Sequence, residues 1–310
     1  MKKTFVILAA MALAASACNN EKVEPLFEGQ TEFCFAVDAP EMQVVSKADL
    51  TSNTKTDIQT SGFTCACVNN GDNSLNFNTT WAYKSDKGAY FAAQSYYYPA
   101  SGTISCYAVY PSTTIGNDFK VSYTSDGTTD LLAAKVTNYQ KPNPVQAINL
   151  TFNHALSEVK VQVVGTNTSL DYEVTKVEVI DAPTTGTLDL SADTWAAGTT
   201  KGNVTYSTTA TAVKNDGNFS AKTGTMTKIG DTKSFIPGTA ACKVRLSWVI
   251  KQGSNTLKTF TDVASEGIDL TKGAQNIINV YLGAGGLDEI YFTVDVAAWG
   301  TQDHHVALGD

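Results

Sequence analysis

Three histidines are the side chains in this sequence best suited to acid–base or metal chemistry. His154 lies in a strand-like segment, whereas His304 and His305 are adjacent in a polar tail. A Ser–His–Asp triad would have to use His154, and no G-x-S-x-G segment is present to supply the nucleophile. Two adjacent histidines do not complete a zinc site, which needs further ligands at defined spacing. The histidines therefore predict neither a catalytic centre nor a metal site.

Acidic turns and a glycine-rich segment are the other candidates for chemistry. NNGDNSLNF and SDGTTD have too few carboxylates, wrongly spaced, for a calcium loop, and both are typical of hairpin turns. GAGG at 283–286 follows a strand but opens no helix, so it does not predict a phosphate loop. Paired carboxylates for glycoside hydrolysis would meet only in the fold, and the strand pattern puts Asp and Glu on solvent faces. We expect no enzymatic activity and no cofactor.

Five cysteines lie within strand-like apolar alternations: Cys34, Cys65, Cys67, Cys106 and Cys242. Cys65 and Cys67 share one face of a strand, but their C-x-C spacing lacks the loop of a usual zinc ligand pair. We interpret all five as small buried side chains. One disulfide remains open as an alternative if the protein is exported.

The sixth cysteine, Cys18, ends an N-terminal leader. Lys2 and Lys3 precede an apolar-to-small run from Phe5 to Ala17, which is too short to span a bilayer. Its junction with Cys18 resembles a bacterial lipobox, in which the cysteine is lipidated. The sequence thus predicts a lipoprotein signal peptide at 1–17, lipidation of Cys18 and a polar tether at 18–25. The alternative is an ordinary signal peptide, with Cys18 incidental.

The charge of the chain excludes one class of partner. Its 310 residues carry a formal net charge of -8, and only 17% of residues are charged. Apart from Lys2 and Lys3 in the leader, lysines are scattered singly, and Arg245 is the only arginine. Nucleic-acid binding requires a clustered basic face, so we expect no nucleic-acid partner.

The elements that must position these residues are strands, because period-two alternation dominates the sequence. CKVRLSWVI at 242–250 places its apolar side chains on one face, and EIYFTVDV predicts burial of Ile290, Phe292, Val294 and Val296. Turn clusters separate many such short segments. No amphipathic helix is evident, although the polar stretch 47–62 fits either a loop or a short helix. The sequence predicts an all-β protein.

A proline-containing connector, NYQKPNPVQ, divides the strand-rich chain near residues 139–160. We therefore predict an N-terminal β domain over residues 26–150 and a C-terminal β domain over 151–310. Each predicted domain is of ordinary size.

Five tyrosines fall close together in SYYYPASGTISCYAVYPS. Alternation places Tyr110 on the apolar face of its strand, which indicates that part of the cluster is core. Tyrosine rings also stack on sugars or form adhesive surfaces. Tyr96 and Tyr98 are therefore candidate binding aromatics.

Several of these segments together resemble the fimbrillin-like family of major and minor fimbrial subunit lipoproteins. LTFNHALSEVKVQV is the most specific of them, and SYYYPASG with CYAVYPS resembles a paired aromatic–proline hairpin. SFIPG, KVRLSWVIKQG, GIDLTKGAQNIINVYLG and EIYFTVDVAAW are similar to the C-terminal strands of the family. The resemblance implies two tandem transthyretin-like β-sandwich domains and export to the outer surface as a lipoprotein.

The resemblance also implies assembly by strand exchange, in which a protease removes the first strand and a strand of a partner subunit fills the groove. FCFAV is our candidate first strand, with Phe33, Phe35 and Val37 as its apolar plugs. Processing in the family commonly follows an arginine, and here Lys47 is the candidate processing site. Without cleavage the protein would act as an anchor, a cap or a monomeric surface lipoprotein.

We therefore expect a non-enzymatic fimbrial subunit or adhesion lipoprotein at the outer membrane and cell surface. Its expected partners are other fimbrial subunits, the outer membrane through the lipid anchor, and a host or bacterial surface glycan or protein. The alternative function is a monomeric glycan-binding surface lipoprotein.

Overall fold

The computed structural model describes residues 32–39, 54–143, 145–283 and 290–299. The predicted signal peptide and tether, Cys18, Lys47, His304 and His305 lie outside these residues. Within the described chain, nearly all regular structure is β, which confirms the predicted fold class.

The N-terminal half contains nine strands and one helix among its described residues. They are β1 (Phe35–Asp38), α1 (Lys55–Ser61), β2 (Phe63–Asn69), β3 (Leu75–Lys84), β4 (Ala89–Ala92), β5 (Thr103–Tyr110), β6 (Lys120–Thr124), β7 (Leu132–Gln140), β8 (Ile148–Thr151) and β9 (Asn153–His154). The described helix is too short and polar to cross a membrane.

The helix α1 occupies the stretch for which the sequence left a loop and a helix open. Thr54 caps it: the Thr54 hydroxyl accepts from the Asp57 N–H, and the Asp57 carboxylate accepts from the Thr54 N–H at 2.8 Å. Gly62 ends the helix with φ +73°, and a Cβ there would lie 2.3 Å from the Trp81 carbonyl oxygen. Only glycine fits this position, because the backbone is left-handed and passes close to a neighbouring strand.

Eight strands form the first sheet, in the order β8-β1-β4-β3-β2-β5-β7-β9. Its two end strands, β8 and β9, are separated in the chain only by Phe152. The sheet must therefore curl until its ends meet, and it encloses a core. That core includes Phe33, Phe35, Ile58, Phe63, Phe77, Trp81, Ile104, Leu132, Ile148, Leu150 and Phe152.

The C-terminal half is built from thirteen strands among the described residues. They are β10 (Ser157–Gly165), β11 (Asp171–Pro183), β12 (Thr185–Asp189), β13 (Thr194–Ala197), β14 (Lys201–Ser207), β15 (Thr211–Val213), β16 (Thr227–Lys228), β17 (Lys233–Phe235), β18 (Gly238–Gln252), β19 (Asn255–Ala264), β20 (Ile268–Leu270), β21 (Ala274–Leu282) and β22 (Ile290–Ala298).

Two sheets of this half share a second core. One has the order β16-β10-β21-β22, with β17 also paired to β10. The other has the order β14-β11-β18-β19, with β15 paired to β11 and β20 to β18. The core side chains alternate along the strands and include Val159, Val161, Val163, Val177, Val179, Val244, Leu246, Trp248, Ile250, Ile278 and Val280. This is the arrangement of a β-sandwich.

A small third sheet connects the two halves. β6 of the N-terminal half pairs antiparallel with β12 of the C-terminal half, and β12 pairs with β13. Val121, Leu188 and Ile236 are fully buried in the apolar cluster beneath it. The predicted boundary at 150/151 falls within β8, and the division into two domains stays a prediction.

Candidate assembly interface at the first strand

The first strand, β1, lies between two other strands, although it is close to the start of the described chain. It pairs antiparallel with β4 at Phe35 and Tyr90, and parallel with β8 along its whole length. The Ile148 N–H donates to the Cys34 carbonyl at 2.9 Å, and the Phe152 N–H donates to the Asp38 carbonyl at 2.8 Å. Both edges of β1 are therefore occupied, and its removal would leave β8 without its hydrogen-bonded neighbour in the sheet.

The predicted plug residues, Phe33 just before β1 and Phe35 and Val37 within it, all point into the first core. Phe33, Phe35 and Val37 are 1%, 0% and 6% exposed. The Phe35 ring meets the Trp81 ring edge to face, with 4.6 Å between centroids. Burial of three such side chains contributes about 5–9 kcal/mol before ordering costs. An unfilled groove would therefore be strongly unfavourable.

The tyrosine-rich segment borders the same groove. Tyr98 is buried, and its ring stacks on Phe33 at 4.2 Å. Tyr96 is partly buried and packs on Phe77 at 5.0 Å. Tyr97, which sequence reasoning did not single out, is 57% exposed and is bridged to Glu32 just before β1. Strand alternation was the available signal, since it turns Tyr97 away from its two neighbours.

All five described cysteines are buried and free, in agreement with their interpretation as core side chains. Cys67 and Cys106 are direct partners on β2 and β5, in the core that the β1 plugs enter. Burial raises the pKa of the Cys34 thiol to about 11 and that of Cys242 to about 12. These thiols are therefore protonated and unreactive at neutral pH.

His154 is held by two contacts in the structure. Its Nδ1 is 2.9 Å from the Asp130 carboxylate, which is itself fully buried. Its ring stacks on Trp299, with centroids 4.3 Å apart and planes 7° apart. Over the described ranges, no group of three or more His, Cys, Asp or Glu side chains is placed to hold a metal ion.

The last described strand, β22, pairs only with β21 in its sheet. The prediction that Val294 and Val296 are buried is wrong: they are 38% and 56% exposed. Phe292, on the same face, does pack against the second core. Alternation identified the apolar face correctly, but β22 is an edge strand and the facing sheet leaves its C-terminal part uncovered.

Lys222 contacts the N-terminal end of this edge strand through the ring of Tyr291. The Lys222 Nζ lies 3.6 Å from the Tyr291 ring centroid and 3.9 Å from that of Phe219. The Lys222 carbonyl accepts a hydrogen bond from the Tyr281 hydroxyl at 2.6 Å. We call these four residues the Lys222 clamp. It joins the loop before β16 to both β21 and β22.

Comparison with known proteins agrees with this architecture. Residues 44–299 match the family model described as fimbrillin-like. The chain belongs to the fimbrillin-like family, as its sequence segments indicated, and this membership implies a location at the cell surface. The matched range begins after β1, so the match says nothing about β1. No curated protein matches the chain.

Two of the similar solved structures illustrate the shared fold. A fimbrial protein from Bacteroides vulgatus ATCC 8482 superposes with a TM-score of 0.59 at 12% identity, covering 86% of this chain and 99% of that chain. A candidate cell adhesion protein from Parabacteroides distasonis ATCC 8503 gives a TM-score of 0.54 at 7% identity, covering 87% of this chain and 97% of that chain. At these identities the likeness shows the fold alone.

Proposed function

We propose that this chain is a structural, non-enzymatic fimbrial subunit or adhesion protein of the cell surface, and that it joins other fimbrial subunits by exchange of its first strand. One observation carries the proposal. β1 and the two residues before it form a short segment that fills the first core with Phe33, Phe35 and Val37, and β1 itself pairs with a neighbouring strand on each side. A strand from another subunit with the same alternation would supply the same contacts.

Processing at Lys47 would make this exchange feasible. Lys47 lies between the end of β1 at Asp38 and the start of α1 at Lys55. Cleavage there would leave β1 attached to the body of the protein only by non-covalent contacts. An incoming strand could then replace β1 without ever leaving the core empty.

The lipid anchor belongs to the same proposal. Cys18 precedes β1 in the chain, so cleavage at Lys47 would also separate the body from an acylated Cys18. Several acyl chains anchor a protein stably in a membrane, whereas one does not. An uncleaved chain would accordingly remain an anchor or cap at the outer membrane, and a cleaved chain would enter a fibre.

We further propose that the exchanging unit is the N-terminal β-sandwich domain, residues 26–150, and that residues 151–310 form a second domain. The buried side chains of the first core all precede residue 153, and those of the second core all follow residue 158. These separate cores support a division into two domains, although Phe152 and β9 belong to the first core and sheet and so place the boundary a few residues after 150. The β6–β12 pairing connects the two domains.

A purified protein with a specific protease site in place of residues 44–50 tests the proposal. Before cleavage, a labelled peptide of residues 31–39 should not enter the protein. After cleavage, it should replace β1 and form a stable complex. A peptide with Phe33 and Phe35 changed to Asp is the matched control and should not bind. Equal incorporation of both peptides, or none by the cleaved protein, would contradict strand exchange.

N-terminal sequencing of the surface form tests the processing step in cells. A new terminus at Ala48 supports assembly, and replacement of Lys47 by Ala should abolish it. Metabolic labelling with a fatty acid tests the anchor: label should appear on the unprocessed chain and be lost with Cys18→Ser. An unlabelled wild-type chain would refute lipidation without affecting strand exchange.

A further inference from the structure

A polar cleft lies where the two halves of the chain meet. It has a volume of about 430 Å³. Its walls come from β7, from the chain at β8 and β9, from the turn after β12 and from the turn before β21. Small-molecule sites commonly have volumes of about 300–1,000 Å³ and lie between domains. The cleft is therefore large enough for one or two small rings.

Two ammonium groups line this cleft from opposite halves of the chain. The Lys135 Nζ donates to the Ser191 carbonyl at 3.0 Å. The Lys272 Nζ donates to the Asp193 carbonyl at 3.2 Å and also contacts the Asp193 carboxylate. Each ammonium has three N–H donors, so both can still donate to a ligand. The lining residues thus include two ammonium groups and one carboxylate, that of Asp193. This balance differs from that of the whole chain, whose formal net charge is -8.

His154 contributes a fixed hydrogen-bonding group to the same cleft. The Asp130 carboxylate engages its Nδ1, and Trp299 fixes the plane of its ring. Its Nε2 is the ring nitrogen that remains for a ligand. Asn153 and Thr151 add amide and hydroxyl groups from the adjoining chain.

The rest of the lining is small and apolar: Ala133, Ala134, Leu190 and Gly273. The cleft thus combines an apolar surface with hydroxyl-binding groups and two ammonium groups, of which that of Lys135 has no carboxylate partner among the lining residues. A pyranose ring has a matching C–H face and hydroxyl rim, and a carboxylate on that ring would pair with the ammoniums. Nucleobases require planar stacking partners. The one planar ring among the lining residues of this described cleft is that of His154, and Trp299 already covers one of its faces.

We propose that the cleft binds a uronic acid residue of an acidic polysaccharide. Lys135 and Lys272 hold the carboxylate, and Asn153, Thr151 and His154 bind the hydroxyl groups. This proposal names a ligand class for an adhesive surface protein, but it requires neither strand exchange nor lipidation. Its test therefore uses the uncleaved monomer and is independent of assembly.

Backbone-amide NMR titration with methyl glucuronide and methyl galacturonide tests the proposal. At least one should give saturable shifts around residues 133–135, 151–154 and 272–273. The neutral methyl glucoside and galactoside differ from them in the carboxylate, and should give much smaller shifts. Acetate reports on the charge alone. Equal binding of acetate and uronide, equal binding of the neutral sugars, or no saturable shift would each overturn the proposal.

Variants assign the binding to the cleft. Lys135→Met should weaken uronide binding by about tenfold or more, and Lys135→Arg, which keeps the charge, should retain most of it. Lys243→Met is the matched control, because Lys243 pairs with Asp181 on a distant sheet face. If Lys135→Met does not fold, Asn153→Asp places a repelling carboxylate beside the ligand and should weaken binding similarly. Unchanged affinity in a folded cleft variant would overturn the assignment.

Discussion

Phe33 stacks on Tyr98 with 4.2 Å between their ring centroids. The first strand and the tyrosine-rich segment are therefore parts of one core and not two separate functional sites. A substitution of Tyr98 made to test binding would also disturb the packing of Phe33, next to β1, in the first core. Tyr97, which is exposed, is the aromatic residue of this segment that reports on surface contacts alone.

Phe35→Ala is expected to destabilise the protein by about 3–5 kcal/mol, because it removes a fully buried ring from a closed core. Chemical denaturation of the uncleaved chain measures the change. Tyr97→Ala is the matched aromatic control and should alter the free energy of unfolding by less than about 0.5 kcal/mol. Similar values for the two variants would show that β1 is not an integral part of the core.

Lys222→Met is expected to increase the opening of β22. Cation–π contacts contribute about 0.5–2 kcal/mol, so amide hydrogen exchange in β22 should accelerate by about twofold to thirtyfold. Lys222→Arg keeps a cation over the Tyr291 ring and should remain close to the wild type. If β22 exchanges at the same rate in the Met variant, the clamp does not hold this strand.

The buried thiols provide a readout for the release of β1. While β1 is in place, Cys67 and Cys106 are fully buried and should react with a thiol reagent only as fast as the protein unfolds. After cleavage and removal of β1, the core around them loses its plugs and alkylation should accelerate. Cys242, in the second core, is the internal control and should stay protected. Equal acceleration at Cys242 would indicate general unfolding.

Asp126 should titrate well below an ordinary aspartate. Burial acts to raise its pKa, but hydrogen bonds from Thr129 and Thr128 outweigh burial and lower the pKa to about 2. The carboxylate therefore stabilises the turn above about pH 4, and this contribution is lost as the pH falls towards 2. NMR titration of the carboxyl carbon should show a higher pKa in Thr129→Val. Thr124→Val, on the preceding strand, is the control and should leave it unchanged.

The faces of the strands were predictable from local sequence because alternation records which side of a strand is apolar. Cys242, Val244, Leu246, Trp248 and Ile250 are all essentially buried, as CKVRLSWVI indicated. Whether another sheet packs over the apolar face of a given strand was not predictable from local sequence. Val294 and Val296 are exposed because β22 ends its sheet, and that depends on how distant strands are ordered.

Buried polar side chains escaped prediction for the same reason. Glu158 and Gln162 alternate with the core valines of β10, so the pattern alone favours exposure for them. Both are buried. The Glu158 carboxylate accepts a hydrogen bond from the Gln275 amide on β21, and the Gln162 amide donates one to the Asn279 side-chain oxygen on the same strand. The pairing of β10 with β21 joins residues far apart in the chain, and local periodicity contains no information about it.

The antiparallel pairing of β6 with β12 affects how the molecule would bear tension. If the protein is pulled from its two ends within a fibre, the link at residues 155–156 is not the sole path for force between the halves. The backbone hydrogen bonds from Lys120–Thr124 to Thr185–Asp189 run alongside that link and share the load. Pulling the two halves apart would therefore require breaking these backbone hydrogen bonds as well as straightening the link.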